Sequence, residues 1–536
     1  MSILSLPFLG FLAILFIIYY AVPKRFQWIV LLAGSILFYV SCGDWKACIF
    51  ILVTIITTFL GARRMDQLNA EQKQVVLDAK NAGNPMSREQ KKEIKAAYQK
   101  RTKRILVLTL LLNFGILAVL KYGNFVMENV RALFPSAFQA DTGLHLLLPL
   151  GISFYTFQTM GYLIDVYRGK YQAEKNILHF GLFASFFPQM IQGPIGRYDL
   201  LADQLKSGHS FDAVRFRQGI MRMLWGYFKK MVIADRMAIM VSSITGGFAE
   251  NGYTGITIFV GVLLYGVQMY ADFSGGMDII FGASDLFGIS MYENFRQPYM
   301  SRTVSEFWQR WHISLGHWMR DYVFYPIALS KSFAKMQKNM KKKIGNYYGK
   351  VIPSMFASFI VFLLVGIWHG AAWRYVIYGT YHAILTSADT FFEKFGNDSR
   401  RVLHIDGESV SWKLFQMART LVLVTFGRYF DCTQAAHISL QMLKATFAGF
   451  NPWVFTDGTF LNLGLKEWEI FFLILMIVLL GIVDVVNERG TKLRMIFAEQ
   501  GIVFRWIIYF IAIFLIIRLG IYGPGYNASD FIYQGF

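Results

Sequence analysis

IPSMFASFIVFLLVGIWHGAAW, residues 352–373, is an apolar run that closes on a histidine with a glycine beside it. Its first part, 352–368, is long enough to cross a bilayer as a helix. His369 then stands at the end of that span. A second stretch, FWQRWHISLGHWMRDYVFYP (307–326), brings histidine, arginine and tryptophan together between apolar runs. Lipid makes ionisable side chains costly, so they persist there mainly where they face a cavity, a partner or a reaction. His312 and His369 are therefore the first candidates for chemistry.

The same pattern recurs outward from these stretches. The 536 residues are 55% hydrophobic and only 16% charged, against about a quarter charged in a soluble domain. Mean hydropathy is +0.40. The apolar runs are continuous rather than alternating, which disfavours a β-barrel. The chain reads as one all-α polytopic membrane domain over residues 1–536, with about 11 spans plus re-entrant pieces. The spans are expected near 3–22, 27–42, 46–62, 105–121, 146–166, 254–271, 352–368, 374–393, 413–430, 467–486 and 504–522. Residues 3–22 run too long for a cleaved leader and are expected to be retained. No internal repeat is visible, which weighs against an inverted-repeat transporter.

The formal charge of +19 would suggest nucleic acid in a soluble chain. Here the bases cluster between spans, as the positive-inside rule requires, so no nucleic-acid partner is expected. Residues 63–104 hold twelve Lys/Arg against five Asp/Glu, and 331–350 hold seven lysines and no acids. Both are expected in the cytoplasm, with the N-terminus outside and 122–145 extracytoplasmic. Within the first, 87–104 reads as a helix capped by Ser87, with acids early and bases late. The bilayer is thus an expected partner along these basic faces.

Two other segments depart from simple spans. ILHFGLFASFFPQMIQGPIG (177–196) is interrupted by Pro188, Gly193 and Pro194, so a bent or re-entrant element is expected. The DFSGGMD run (272–278) is expected to break the helix before it. Cys42, Cys48 and Cys432 form no CxxC pair and read as packed free thiols.

Imidazole titrates nearest neutral pH and is the commonest general base. His369 lies between Gly366 and Gly370, which permit close approach of backbone or substrate. Arg310 and Arg320 flank His312, with Trp308, Trp311 and Trp318 among them. Those tryptophans fit interfacial anchoring, which leaves the arginines to be explained. His317 lies off the helical face of His312, and His382 lies within the next apolar run. Asp235, Asp272 and Asp278 are the intramembrane or membrane-edge acids, each suited to orient a histidine or pair with Arg236 or Arg296. No HExxH, GxSxG, Walker loop or dinucleotide fingerprint is present, so no metal, bound cofactor or ATP-driven pump is indicated.

PYMSRTVSEFWQRWHISLGHWMRDYVFYP (298–326), WHG (368–370) and YH (381–382) resemble the membrane-bound O-acyltransferase family, in the branch that acetylates bacterial polysaccharides such as alginate. PLGISFYTFQTMGYLIDVYRG (149–169), FFPQMIQGPIGR (186–197), GYFKKMVIADR (226–236) and YADFSGGMDIIFG (270–282) support it, and the likeness covers about residues 1–450. The resemblance implies helices around a thin central region, reached by a cytoplasmic thioester and an extracytoplasmic acceptor from opposite sides. It implies catalytic roles for His369 and His312 and a supporting role for Asp235; Asp272 and His382 are further candidates for supporting roles. It implies acetyl-CoA as the donor, whose phosphates Arg310 and Arg320 would attract beside Trp308 and Trp311. It also implies a bacterial plasma-membrane location and a separate extracytoplasmic esterase-like partner that completes the transfer. The chain departs from the family at Gly316-His317, where small hydroxyl residues are expected, and in the length of 63–104. D-alanine transfer to teichoic acid, lipid acylation and passive polysaccharide or lipid export are the competing functions.

Overall fold

A computed structural model describes residues 1–43, 45–83, 85–134, 149–190 and 192–522. Its described residues are helical apart from loops, with one isolated antiparallel bridge, Phe295 to Trp311. The chain forms two compact units, Met1–Asp212 with Phe287–Met291, and Ala213–Leu286 with Tyr292–Phe536.

In the first unit, Ser5 caps α1 (Leu6–Ala21) by accepting from the Phe8 amide, and α2 (Gln27–Cys42) follows. Phe8, Phe38 and Phe187 meet through edge and tilted ring contacts 5.9 and 5.7 Å apart, the geometry aromatic quadrupoles favour. The long helices α3 (Cys48–Asn81) and α4 (Arg88–Leu133) carry the basic segment on their adjoining ends. At about 1.5 Å per residue each outruns a hydrocarbon core of about 30 Å, so the polar ends project beyond it. Ser87 and Gln90 form a reciprocal capping box at the start of α4, as its sequence predicts.

α5 (Ile152–Tyr167) starts after Gly151, whose φ is +67° and where a Cβ would lie 2.2 Å from the Met190 carbonyl oxygen. Only glycine fits there. The segment expected to bend does so: α6 (Ile177–Ser185) stops, α7 (Phe187–Met190) is one turn, and α8 (Tyr198–Lys206) resumes. Side chains occupy backbone groups at the break. Ser35 accepts from the Phe187 amide, Gln158 donates to the Phe183 carbonyl and Gln189 to that of Pro194. This is the condition under which irregular backbone survives at membrane depth.

In the second unit, α9 (Ala213–Tyr227) passes through a π-helical turn, Phe228–Ala234, into α10 (Asp235–Thr245). After the short α11 (Phe248–Asn251), α12 (Ile256–Leu286) runs unbroken through the DFSGGMD sequence, where a break is expected. Its glycines serve packing instead. A Cβ on Gly275 would stand 2.9 Å from the Gly226 carbonyl, and one on Gly282 would stand 2.4 Å from that of Gly219. Small residues at this spacing let α9 and α12 touch backbone to backbone.

Then come α13 (Val304–Arg310), α14 (Ile313–Met319), a π-helical turn at Arg320–Phe324 and α15 (Tyr325–Ala328). The lysine-rich α16 (Lys331–Ile344) leads into α17 (Asn346–His369) and α18 (Trp373–Val402). α19 (Val410–Arg428), α20 (Ala436–Phe447), α21 (Glu467–Glu488), α22 (Leu493–Glu499) and α23 (Ile502–Leu519) complete the unit.

Among the described residues, seven helices are long and apolar enough to span a bilayer, fewer than the expected count. They are Lys24–Cys42, Trp45–Asn81, Arg88–Leu133, Ile256–Leu286, Asn346–His369, Glu467–Glu488 and Ile502–Leu519. α1 and α5 are helical but have only 16 residues each. α18 and α19, expected as spans, mix polar residues into their apolar runs. Residues 135–148, which take in part of the expected extracytoplasmic segment and the start of the span at 146–166, lie outside the described residues. Cys42, Cys48 and Cys432 are free thiols.

Candidate active site

α17 and α18 form a tight hairpin. A Cβ on Gly366 would lie 2.3 Å from the Tyr375 carbonyl oxygen, and one on Gly379 would lie 2.5 Å from that of Phe362. His369 is the last residue of α17, and His382 lies on the buried side of α18. Both are almost fully buried, at 2% and 1% exposure, as is His312 at 2%.

These three imidazoles are joined by a chain of rings. His312 meets Trp368 at 5.5 Å between centroids, and Trp368 meets His369 at 5.3 Å. His369 meets Tyr378 at 5.6 Å, Tyr378 meets His382 at 4.7 Å, and His382 meets Trp308 at 4.9 Å. The Trp308 indole also donates to His382 Nδ1 at 3.2 Å. An indole N–H can only donate, so Nδ1 of His382 is its acceptor and Nε2 carries the proton. That bond engages the one lone pair of a neutral His382 ring.

His312 occupies a break between α13 and α14, with φ +48°. Few residues without glycine's freedom adopt this region, and such strain clusters at functional sites. The break is held by pairing with residues 294–296. The Ile313 amide donates to the Asn294 carbonyl, and the Arg296 amide donates to that of Arg310. His312 belongs to no spanning helix, and burial pushes its imidazolium pKa down to about 3, so the ring is neutral.

The remaining residues singled out in the sequence fall into separate groups. Trp311 packs on Phe295, Phe307 and the Arg428 guanidinium. Arg310 bridges Glu306 at 2.7 Å and Glu488 at 2.8 Å. Arg320 is half exposed and pairs with Asp321 at 3.0 Å. Asp235 and Asp272 share the Lys230 ammonium at 2.7 and 2.6 Å, while Asp278 pairs with Arg222 and Lys229. These acids hold α9, the π-helical turn and α12 together. Arg236 pairs with Glu469. Trp318 meets Tyr322 in a tilted contact, and His317 accepts or donates at the Tyr292 hydroxyl, 2.9 Å away.

Sequence reading missed several members. Tyr378 lies between His369 and His382. Arg428, fully buried, binds Asp431 at 3.0 Å and the Tyr378 hydroxyl at 3.4 Å. Its signal was legible, since it is the one charged residue in the apolar stretch 420–430. Lys230 stands out in the sequence beside Lys229, within FKKM, but its pairing with two acids does not. Among the described residues no group of three His, Cys, Asp or Glu side chains is arranged to hold a metal ion.

Three buried imidazoles, joined by aromatic rings at the end of one apolar helix, make this cluster the candidate active site. The profile of the membrane-bound O-acyltransferase family matches residues 73–339. A probable alginate O-acetylase of Pseudomonas syringae pv. tomato is 31% identical over 449 residues, 83% of this chain and 75% of that one. The peptidoglycan O-acetyltransferase of Helicobacter pylori is 31% identical over 315 residues, 53% of this chain and 54% of that one. The teichoic acid D-alanyltransferase of Bacillus subtilis is 32% identical over 249 residues, 46% of this chain and 60% of that one. The chain belongs to the membrane-bound O-acyltransferase family. It is an acyltransferase, so passive export falls away as its function.

Proposed function

We propose that this acyltransferase moves an acetyl group from a cytoplasmic thioester, acetyl-CoA, toward the hydroxyls of an extracytoplasmic polysaccharide in a bacterial plasma membrane. A separate extracytoplasmic esterase-like protein completes the transfer in this reading. The observation that carries it is the buried His312–Trp368–His369 ring cluster, in a chain whose longest matches here are named as alginate O-acetylases.

His369 takes the proton of the attacking hydroxyl as its oxygen adds to the thioester carbonyl. The tetrahedral intermediate then expels the thiolate. The C–O bond has formed and the C–S bond has broken, and the imidazolium returns the proton to sulfur. The apolar rings around the histidines exclude water that would hydrolyse the thioester.

A second reading, D-alanine transfer from a small carrier protein to teichoic acid, is favoured by the matches to teichoic acid D-alanyltransferases, that of Bacillus subtilis among them. The match to the alginate enzymes spans more of both chains, so acetylation is the reading adopted. Mass spectrometry of cell-surface polymers from cells with and without the intact gene separates the two. Acetyl esters lost with the gene support the proposal. Loss of alanyl esters with acetyl content unchanged overturns it.

A further inference from the structure

The side-chain carbonyl of Asn294 lies where three donors converge. It accepts from the Ser314 amide at 3.0 Å, from the Ser314 hydroxyl at 3.0 Å, and faces His312 Nδ1 at 3.3 Å. Its own NH2 points the other way, toward the Met277 sulfur at 3.6 Å. Asn294 is fully buried, and its backbone carbonyl also receives the Ile313 amide. The backbone N–H of Ser314 can only donate, which fixes the amide with its oxygen toward His312. That oxygen can only accept, so His312 Nδ1 must carry the proton. The lone pair of the neutral ring is then on Nε2. The strained φ of His312 is held by the same strand pairing that carries Asn294.

We infer that Asn294 is a positioning residue that sets the tautomer and orientation of His312, presenting Nε2 as its basic atom. This rests on the proposed acyl transfer and takes His312 to act in it beside His369, as a second catalytic histidine of the cluster. An amide acceptor holds Nδ1–H without adding charge, so the imidazole stays neutral in its buried setting. A carboxylate in the same place would favour the imidazolium instead.

The charged groups on the elements around His312 are already matched. On α12, which packs on it through Phe273, Asp272 pairs with Lys230 and Asp278 with Lys229 and Arg222. On the segment 292–296, Glu293 pairs with Arg222 and Arg494. On α13, Arg310 is held by Glu306 and Glu488. Arg428 of α19, next to Trp311, is held by Asp431. Asp285 of α12 pairs with Arg215, and Lys413 and Arg419 of α19 are engaged by Glu408 and the Arg302 carbonyl; Arg296, His317 on α14, and Lys350 and His369 on α17 are the other charged groups and imidazoles on these elements. A new acid at 294 would therefore act on His312 first.

The test uses membrane vesicles from cells producing the full chain, with labelled acetyl-CoA as the probe and donor consumption as the readout. Asn294→Asp keeps the size and all three accepted hydrogen bonds. It is expected to move the acid limb of the pH profile up, because a carboxylate beside the ring raises its pKa by about one to three units and a neutral base is lost as pH falls through the raised pKa. Asn294→Ala is expected to lower kcat about tenfold or more with KM for acetyl-CoA unchanged. In a His312→Ala background, Asn294→Asp is expected to shift nothing. A profile for Asn294→Asp that superimposes on the wild type overturns the inference, as does a shift that persists without His312. If His312→Ala is fully active, the inference falls with the role of His312. Inactivity of His369→Ala would then show that acyl transfer itself still stands.

Discussion

At the scale of single residues, three histidines that look alike in sequence have different surroundings. Trp308 engages the Nδ1 lone pair of His382, while His369 closes α17 against Tyr378 and Trp368. Replacing His369 by Ala is expected to lower acyl transfer by on the order of 100-fold to 10,000-fold, the range for a lost general base. Acetyl-CoA consumption at matched protein level measures it, and an unimpaired rate would exclude His369 as the base. The two arginines also diverge. Arg310 is held between Glu306 and Glu488, whereas Arg320 is half exposed beside Asp321. Arg320→Ala is expected to raise the apparent KM for acetyl-CoA several-fold with little change in kcat, since guanidinium pairs well with phosphate. Arg310→Ala is expected to act on stability instead, as it strands two carboxylates. Kinetics with varied donor, alongside thermal unfolding, distinguish the two outcomes.

At the scale of elements, the second unit is built by helices that touch through small residues and by charges buried between them. Lys230 sits between Asp235 and Asp272 with all three nearly inaccessible. Replacing Lys230 by Met leaves two carboxylates in apolar surroundings, and breaking such a pair costs about 3–5 kcal/mol. The expected result is a marked fall in the unfolding temperature of the detergent-solubilised protein. A double replacement, Lys230→Met with Asp272→Asn, is expected to recover part of the loss, and no recovery would show that the pairing is not the source. The DFSGGMD run makes the same point about packing. Glycine pairs read locally as helix breakers, yet contact with Gly226 and Lys229 turns Gly275 into a site of close helix approach.

At the scale of the whole molecule, charge sets how the chain lies in the bilayer. Each basic segment, 63–104 and 331–350, is expected to face the cytoplasm, because Lys and Arg are retained on that side. Ala79→Cys and Lys338→Cys, made singly, are expected to resist an impermeant thiol reagent applied to intact cells and to react after permeabilisation. Strong labelling of either from outside overturns the placement of that segment.

Membrane character, the position of the long spans, the capped helix after Ser87 and the bend over 177–196 were all legible in the chain itself. They depend on local apolar length, on caps and on proline, and these act within a few residues. His312 and His369 were legible as candidates because ionisable groups are rare among apolar runs. What joins them was not legible. Trp368 lies between them only because α17 ends where the 311–312 break meets it. Asn294 reaches His312 only through strand pairing across 18 residues. Local sequence places Glu306 one helical turn from Arg310, but not the distant Glu488 that also holds it. Side-chain partners far apart in the chain are chosen by packing and by the need to satisfy every buried charge, and only the tertiary structure decides them.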